Sequence, residues 1–386
     1  MSQLKVNAIR ATAASSDAIT LASDGTCTAK ITAINNGQIA NRNVLINGAM
    51  QINQRGDAAA TGSAAYLSAD RWKTQNGSGA QWAVSRSTDA PDGFAYSTKW
   101  DCTTADTSVG ASDYMQITQD LEGQDVQRFH KGKSTAKKFA LQFWIKSTIT
   151  GTYIVNLLDS DNSRQIAKAY TISAADTWEK KTMVFDADTT GAFTVDTNKS
   201  LRVSFWLMAG SDYTSGTLAT TWASETAANK AVGQVNAVSS TSNNVFITGV
   251  QLEVDTCTEF EHRSYNDELV RCYRYCFAKI NPADNQYASQ FIGTYYNSSR
   301  IYGSIQFPVA MRSPPTCVCS DATDAFHAYR DSSSDSVNEF HIDAAANVGL
   351  TAAEVLNDDD ASGTAGHSCF VRRDTPATAF RFEAEL

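Results

Sequence analysis

The stretch GVQLEVDTCTEFEHRSYNDELVRCYRYC, from Gly249 to Cys276, begins with the period of a strand and ends with the period of a helix. In its strand part and just before it, alternate residues share one predicted face: Phe246, Thr248, Val250, Leu252 and Val254. A Ser-x-x-Asp capping signal at Ser264 and Asp267 follows, and residues then recur at helical spacing: Leu269, Val270, Tyr273, Cys276 and Phe277. The sequence therefore predicts that a β domain ends at Arg263 and that a helix opens a second domain at Ser264.

The residues before this boundary predict a sandwich of strands. Seven segments between residues 44 and 263 have a two-residue period and are separated by Gly, Asp, Asn, Ser and Thr: AQWAVSRS, YMQITQDL, KKFALQFWIKST, GTYIVNLLDS, EKKTMVFDA, KSLRVSFWLMAG and NNVFITGVQLEV. Short strands with such turns are typical of two antiparallel sheets packed face to face. We therefore predict an all-β fold with an antiparallel jelly-roll β-sandwich at residues 44–263.

The two flanking segments differ from this sandwich. Residues 1–43 hold short apolar pairs such as Leu4/Val6 and a hairpin signal at Asp24-Gly25, too little to bury a core alone. We expect them to dock on a partner or on copies of themselves; a disordered tail is the alternative. Residues 264–386 predict a short helix and a smaller β-rich tip domain, with strands in YASQFIGTYY, RIYGSIQFPVAM, TCVCS, NEFHID, HSCFVRR and AFRFEAEL. The runs DSSSDS and VLNDDDASG are predicted to be solvated loops.

Composition limits the partners. The formal charge of −9 argues against nucleic acid or an anionic membrane surface, since both attract a basic face. No apolar run approaches the ~20 residues of a membrane helix, and residues 1–21 lack the pattern of a signal peptide. We expect a soluble protein with no nucleic-acid partner and no membrane insertion.

Motifs for chemistry are missing from the sequence. The eight cysteines lack zinc-site spacing, and the five histidines lie far from one another in the chain. The segment LDSDNSRQ resembles a calcium loop, but Arg164 and Tyr170 stand where an EF-hand needs Gly and Glu, so a polar turn is expected. We expect no catalytic residue, no metal and no cofactor. A carboxylate pair assembled from distant residues, as in glycoside hydrolysis, stays an alternative.

Aromatic residues supply the candidates for ligand binding. In KFALQFWIKST one predicted face is apolar, and the other carries Gln142, Trp144 and Lys146; SLRVSFWLMAG places Trp206 on the corresponding polar face. A Trp beside hydrogen-bonding groups suits a sugar ring, and cover by a neighbouring subunit or domain is the alternative. The tip domain adds a second candidate set, with a core position as the alternative for its tyrosines: Tyr295, Tyr296, Asn297, Arg300 and Tyr302.

Several segments, in order, resemble the jelly-roll region of bacteriophage tail-fibre and related virion structural proteins: NVLINGAMQINQRG, ADRWKT, FALQFWIKSTITGTYIVNLLDSDNSR, GVQLEV, EFEHRSYNDELVRCYRYC and FPVAMRSPPT. The N-terminal LKVNAIR and AITLASDGTCT are similar to the start of fibre proteins of short-tailed marine phages. The matching segments span most of residues 1–320. Related domains are similar in shape to carbohydrate-binding modules. This chain departs from long fibres in having no heptad repeat.

This resemblance implies a homotrimeric fibre located in the virion tail and assembled in the host cytoplasm. Residues 1–43 would attach to tail adaptor or nozzle proteins, and the distal domains would bind host cell-surface polysaccharide without catalysis. It also implies that Glu259, Glu261 and Arg263 pair across subunits. Two alternatives stay open: a purely structural virion protein, such as a capsid decoration, head fibre or tail connector, and a glycan-degrading tailspike.

We predict that the full-length protein is a stable trimer. Residues 1–43 are too short of apolar residues to bury a core alone, and a neighbouring subunit could cover the predicted sheet faces that carry Trp144 and Trp206. Multi-angle light scattering at micromolar concentration should give three times the chain mass. A monomer under these conditions would contradict the prediction.

Overall fold

The computed structural model describes residues 8–9, 19–21, 23, 27–29, 40–280, 288–319, 323–343, 348–374 and 379–386. Over these residues the α-helices are α1 (Ser211–Thr214) and α2 (Tyr265–Tyr273), with 3-10 turns at Gly123–Asp125, Gln127–Phe129 and Ala227–Asn229. The strands before α2 are β1 (Ala8–Ile9), β2 (Ile19–Leu21), β3 (Cys27–Ala29), β4 (Ala58–Thr61), β5 (Ala65–Tyr66), β6 (Lys73–Asn76), β7 (Gln81–Ser87), β8 (Ser97–Thr104), β9 (Tyr114–Glu122), β10 (Phe139–Ser147), β11 (Gly151–Asp159), β12 (Arg164–Ile172), β13 (Glu179–Phe185), β14 (Lys199–Ala209), β15 (Ala223–Ser224) and β16 (Asn244–Val254). Those after it are β17 (Cys276–Ala278), β18 (Ser289–Tyr295), β19 (Ile301–Gln306), β20 (Thr316–Cys319), β21 (Phe326–Arg330), β22 (Ser333–Val337), β23 (His341–Ile342), β24 (Ala352–Leu356), β25 (Ser368–Arg373) and β26 (Phe380–Glu383).

Strands β4 to β16 form two antiparallel sheets packed face to face. One sheet has the order β13-β10-β16-β8-β7-β4, and the other has the order β15-β12-β11-β14-β9-β6-β5. The apolar faces predicted for KFALQFWIKST and SLRVSFWLMAG both point into the shared core, where Phe143 and Phe205 make an edge-to-face contact at 4.9 Å between ring centroids. The prediction of an all-β protein built on an antiparallel jelly-roll sandwich is confirmed.

Strand β16 departs from its predicted face because it contains a β-bulge. Its register against β10 shifts between Gln142 and Trp144, and Gly249 lies at the shift with φ +63°. An extra residue reverses the alternation, so Phe246 and Thr248 lie on the outer face while Val250 and Leu252 lie in the core. The single face predicted for these residues is therefore wrong.

The tip residues form a second core between two smaller sheets, of order β17-β26-β20 and β22-β21-β25-β18-β19-β24-β23. Stacked and edge-to-face phenylalanines fill it, among them Phe326, Phe340 and Phe380. The predicted loop DSSSDS is corrected, because Ser333–Val337 is strand β22 paired with β21. In VLNDDDASG, Asn357 is fully buried and accepts the Ile301 N–H through its side chain at 2.6 Å, so this segment is also held to the core.

Helix α2 begins where the capping signal predicts. The Ser264 hydroxyl accepts the Asp267 N–H at 3.2 Å, which satisfies one free donor of the first turn. The helix ends at Tyr273, earlier than the predicted spacing, because Cys276–Ala278 leaves it to pair with β26 as strand β17. Although α2 was expected to open the tip, its buried Glu268 accepts the Asn47 N–H of the sandwich at 2.5 Å.

The charged hinge before α2 pairs within the chain. Arg263 donates to the backbone oxygens of Asn43 and Leu45, and Glu261 accepts the Asn43 N–H at 3.0 Å. The expected pairing of Glu261 and Arg263 across subunits is thus replaced by contacts within one chain. Asn43 is 4% exposed and its side chain donates to Val250 O, so the sandwich includes Asn43 rather than starting after it.

The described part of the N-terminal segment is a three-stranded antiparallel sheet of order β1-β2-β3. Strands β2 and β3 flank the predicted hairpin and pair through Ile19↔Ala29 and Leu21↔Cys27. The turn signal Asp24-Gly25 and the pair Leu4/Val6 lie outside the described residues. The docking role expected for residues 1–43 stays a prediction.

A buried charge network joins the sandwich to the last strand of the tip. Arg55 is 4% exposed and bonds Glu383 at 3.0 Å and Glu385 at 3.1 Å. Arg71 is 1% exposed, pairs with Glu385, and stacks at 3.5 Å over the ring of Tyr275. Burial opposes the charge on Glu383, but Arg55 and Arg381 outweigh it and hold the pKa of Glu383 below its usual value. The two cores are therefore fixed to each other by compensated buried ions.

We expect Glu385→Ala to lower the free energy of unfolding by about 3–5 kcal/mol, because it leaves buried arginine charge without its partner. Urea denaturation followed by circular dichroism measures the change. The control is Lys137→Ala, which breaks the exposed pair with Asp255 at 3.2 Å and should cost less than about 1 kcal/mol. Equal effects of the two substitutions would contradict the proposed role of the network.

Candidate functional site

A recess on the outer face of the six-stranded sheet gathers the aromatic groups best placed for a ligand. It has a volume of about 370 Å³ and its walls include Phe94, Gln142, Trp144, Lys180, Phe260 and His262. We call it the Trp144 recess. Strands β10 and β13 provide Trp144 and Lys180 as direct cross-strand partners. The loop before β8 and the segment after β16 provide the other rings, so the recess lies where two loops cover the sheet.

The loop rings of the Trp144 recess hold one another in place. Phe94 contacts Phe260 edge-on at 5.0 Å and His262 at 5.1 Å between ring centroids, and Phe260 lies 4.8 Å from His262. Phe94 and Phe260 are half-buried and His262 is exposed. A rigid cluster of rings that stays partly open offers apolar area to a ligand with little loss of side-chain entropy.

The bulge at Gly249 makes room for these rings. A Cβ at Gly249 would lie 2.7 Å from the Phe94 Cζ and 3.0 Å from the Trp144 Cδ1. The residue also has φ +63°, a left-handed conformation that glycine adopts without strain. Sequence reasoning missed Gly249, Phe94 and Phe260, although an isolated glycine in a strand pattern is a signal for a bulge or a close approach.

Gln142 supplies a polar group at the recess. Its side chain is 2% exposed and donates from Nε2 to the Thr258 backbone oxygen at 2.7 Å. Its Oε1 is buried and has no hydrogen-bond partner within the described parts of the chain. A buried carbonyl without a donor is costly, so Gln142 adds an unsatisfied polar group under the floor of the recess rather than an exposed one. The predicted neighbours Gln142 and Trp144 are thus brought together, with Gln142 beneath the surface.

The outer face continues beyond the recess as a fixed polar cluster. Trp178 donates its indole N–H to Asp89 at 3.0 Å, and Lys146 pairs with the same carboxylate. The hydrogen bond from Lys146, together with that from Trp178, lowers the pKa of Asp89. Trp178 therefore marks the edge of the face, outside the Trp144 recess.

Trp206 does not form the second exposed tryptophan that the sequence predicted. Its side chain is 1% exposed because α1 and the chain up to Ala231 cover the outer face of the other sheet. Tyr213 of α1 packs on it with 5.3 Å between ring centroids. The alternative predicted cover by a neighbouring subunit or domain, but the cover of Trp206 comes from residues of the sandwich itself.

The candidates in the tip divide into core and surface residues. Tyr295 is 1% exposed and donates its hydroxyl to Asp335, so it is a core residue and not a surface contact. Tyr296 is 71% exposed and packs edge-on against Tyr302 with 5.3 Å between ring centroids. We call these last two residues the tyrosine pair. Tyr296 is exposed and Tyr302 is half-buried, so the pair lies on the surface of the tip, and ligand binding there stays a prediction.

Arg300 and Asn297 shape the loop beside the tyrosine pair. Arg300 pairs with Asp359, and the Asn297 side-chain oxygen accepts the Ser299 N–H at 2.8 Å and the Arg300 N–H at 2.7 Å. These contacts are internal, so the two residues orient the loop and leave the aromatic rings as its exposed feature.

An apolar row also lies exposed on the tip. Ile292 is 64% exposed and Phe370 is 54% exposed, and the two are direct cross-strand partners on β18 and β25. Tyr329 on β21 stands opposite Phe370. Together they border a cleft of about 720 Å³ with Ser332, Ser333 and Ser334 on its other side. Contiguous exposed apolar groups mark surfaces that contact other molecules.

The segment LDSDNSRQ, which resembles a calcium loop in sequence, forms a polar turn, as expected. Asp159 is fully buried, pairs with Lys131 at 2.5 Å and accepts the Asp161 N–H at 3.0 Å. Within the described parts of the chain, seven cysteines form no disulfide: Cys102, Cys257, Cys272, Cys276, Cys317, Cys319 and Cys369. Burial raises the pKa of Cys257 to about 11. Among the described residues no helix is long and apolar enough to cross a membrane.

Solved structures give distant matches. The enzymatically active domain of tailspike protein 4 of bacteriophage CBA120 is 13% identical at a TM-score of 0.31, over 55% of this chain and 21% of that one. TmCBM61, solved with β-1,4-galactotriose, is 10% identical at a TM-score of 0.29, over 56% of this chain and 100% of that one. The family 11 carbohydrate-binding module of Clostridium thermocellum Lic26A-Cel5E is 12% identical at 0.27, over 52% of this chain and 98% of that one.

The chain thus spans about a fifth of the tailspike domain's length. No protein-family model and no curated protein matches the sequence. Since none of the three TM-scores exceeds 0.31, these matches establish neither a ligand nor an activity.

We expect Gly249→Ala to destabilise the protein more than Gly93→Ala. Both glycines have positive φ, so each substitution adds backbone strain of about 1–2 kcal/mol. A Cβ at Gly93 meets nothing within 4 Å, whereas one at Gly249 collides with Phe94 and Trp144. The difference between the two free energies of unfolding, from urea titration, measures how tightly the recess is packed. Equal losses would mean that the rings move aside freely.

Proposed function

We propose that the protein is a non-catalytic adhesion protein that binds glycan in the Trp144 recess. The observation that carries this proposal is the meeting of a half-buried indole and two phenylalanine rings with the polar side chains of Lys180 and His262 in one concave site. A sugar ring presents an apolar face for stacking and hydroxyls for hydrogen bonds, and this site offers a partner to each.

Both signs of charge lie around the recess. Lys180 stands on its walls with Asp92 and Glu259, so cationic groups do not dominate. A neutral polyhydroxylated ligand therefore fits better than a phosphate or a strongly anionic chain, which would need clustered arginine or lysine. This favours a neutral stretch of a surface polysaccharide as the ligand.

We place the protein in the virion tail as a homotrimeric fibre, attached through residues 1–43 to an adaptor or nozzle protein. One supporting observation is the fixed exit of the N-terminal segment: Arg128 donates to the Asn41 backbone oxygen and Arg271 donates to the Asn41 side chain at 2.9 Å. A second is the exposed row around Ile292 and Phe370, which suits contact between copies. Weak binding at each site would gain avidity from the repeated copies.

The tyrosine pair is a second candidate surface for the same function. Tyr296 and Tyr302 are rigid amphipathic rings on the tip, and both belong to the second candidate set that the sequence supplies. They lie on an open surface, however, whereas Trp144 lies in a recess with two phenylalanine rings. For this reason the recess is our first choice.

The test measures retention of full-length protein on immobilised host-envelope polysaccharide, with a reducing-end assay of the released material. We expect retention without new reducing ends, and a loss of at least tenfold in affinity for Trp144→Ala, equivalent to ~1.4 kcal/mol. Trp144→Phe should recover part of the binding because it restores an aromatic face. Trp178→Ala is the matched control, since it removes an outer-face tryptophan outside the recess.

The outcomes separate the proposals. If the double variant Tyr296→Ala with Tyr302→Ala loses binding while a folded Trp144→Ala variant retains it, the tip is the binding surface. Release of reducing ends would identify a glycan-degrading tailspike. Absence of both retention and cleavage would favour a purely structural virion protein.

A further inference from the structure

We propose a divalent transition-metal site on the tip sheet, formed by Glu339, His341 and Asp358. One ligand atom from each residue, an imidazole nitrogen or a carboxylate oxygen, lies within 4.8 Å of the other two. Glu339 precedes β23, His341 is its first residue, and Asp358 follows β24. The proposal does not depend on glycan binding.

The donor atoms suit a borderline metal ion. Zn²⁺ binds histidine nitrogen and carboxylate oxygen at ~2.0–2.2 Å, which places tetrahedral donors ~3.4 Å apart. His341 Nδ1 and Asp358 Oδ1 are already 3.3 Å apart. The remaining closure is at most ~1.4 Å and needs only side-chain rotation of the carboxylates, since Glu339 is half-buried and Asp358 is exposed. An imidazole nitrogen favours zinc over calcium, which takes six to eight oxygens, and the two carboxylates also suit manganese.

The backbone around the three residues is fixed in advance. Asn338, next to Glu339, donates its N–H to Asp360 at 2.6 Å. Buried Asn357, next to Asp358, donates its side-chain N–H to the same carboxylate at 2.7 Å. Cross-strand pairing of His341 with Leu356 then joins β23 to β24 at this point. The two loops that carry the ligands are thus tied to each other.

Charge also favours a cation at this position. Glu339 and Asp358 bring two carboxylate oxygens within 4.8 Å of each other and of the His341 nitrogen, and a bound cation would reduce the repulsion between the two like charges. Arg300 pairs with Asp359, the residue after Asp358, and so its charge is directed to Asp359 and not to the Asp358 carboxylate. Three protein ligands leave at least one position open to water or to a ligand oxygen on the tip surface.

Full-length protein stripped with EDTA and dialysed is titrated with ZnCl₂ by calorimetry, and binding of MnCl₂ is followed by electron paramagnetic resonance. Manganese is included because soft thiols do not compete for it. We expect one ion per chain, with affinity lowered at least tenfold in His341→Ala and in Glu339→Gln. Asp358→Asn should have the same effect. Thermal melting verifies that each variant is folded.

His327→Ala is the matched control, because His327 forms another His–Asp contact, with Asp374 at 3.3 Å, in which no third metal ligand takes part among the described residues. It should bind metal like the wild type. The proposal is overturned if the wild type binds neither ion, if folded His341→Ala binds as well as the wild type, or if His327→Ala loses binding equally. Each of these results would leave His341 and Asp358 as an ordinary ion pair.

Discussion

Two buried arginines hold the molecule together. Arg55 and Arg71 precede β6 in the sequence. Their carboxylate partners, Glu383 and Glu385, lie more than 300 residues later. A buried cation without a partner costs several kcal/mol, so neither core is complete without the other. Arg71 even adopts φ +71°, a strained conformation for a residue with a side chain, which persists only where its surroundings fix it. The relative position of the recess and the tip follows from this constraint.

The two-residue period of the sequence predicted correctly which residues of a regular strand face the core. The faces of β10 and β14 were correct because each strand is regular and its alternate residues enter the core. The face of β16 was wrong because one extra residue at Gly249 reverses the alternation, and the two-residue pattern contains no information on which residue is extra. The strand in DSSSDS was missed because its partner β21, and not apolarity of its own, makes it a strand.

The candidate site was predicted in part for a related reason. Gln142 and Trp144 are two residues apart in one strand, so their spacing predicts that they lie on the same face. Phe94 and Phe260 come from loops on either side of that strand, and only the three-dimensional fold brings their rings together. Trp206 has the same local pattern as Trp144, yet the chain around Tyr213 folds back over it. The pattern of a strand therefore predicts which residues share a face. Whether that face is open to solvent depends on whether residues from a distant part of the chain pack over it.

The arginine network also sets the point in synthesis at which the fold can be completed. Arg55 and Glu385 are separated by 330 residues, and Arg71 and Glu385 by 314. A ribosome adds ~5–20 residues per second, so Arg55 and Arg71 stand in the nascent sandwich without their glutamate partners for about 15–65 seconds. During that interval the sandwich lacks the two carboxylates that complete its buried charge network. Docking of the last strand supplies them and joins the two cores.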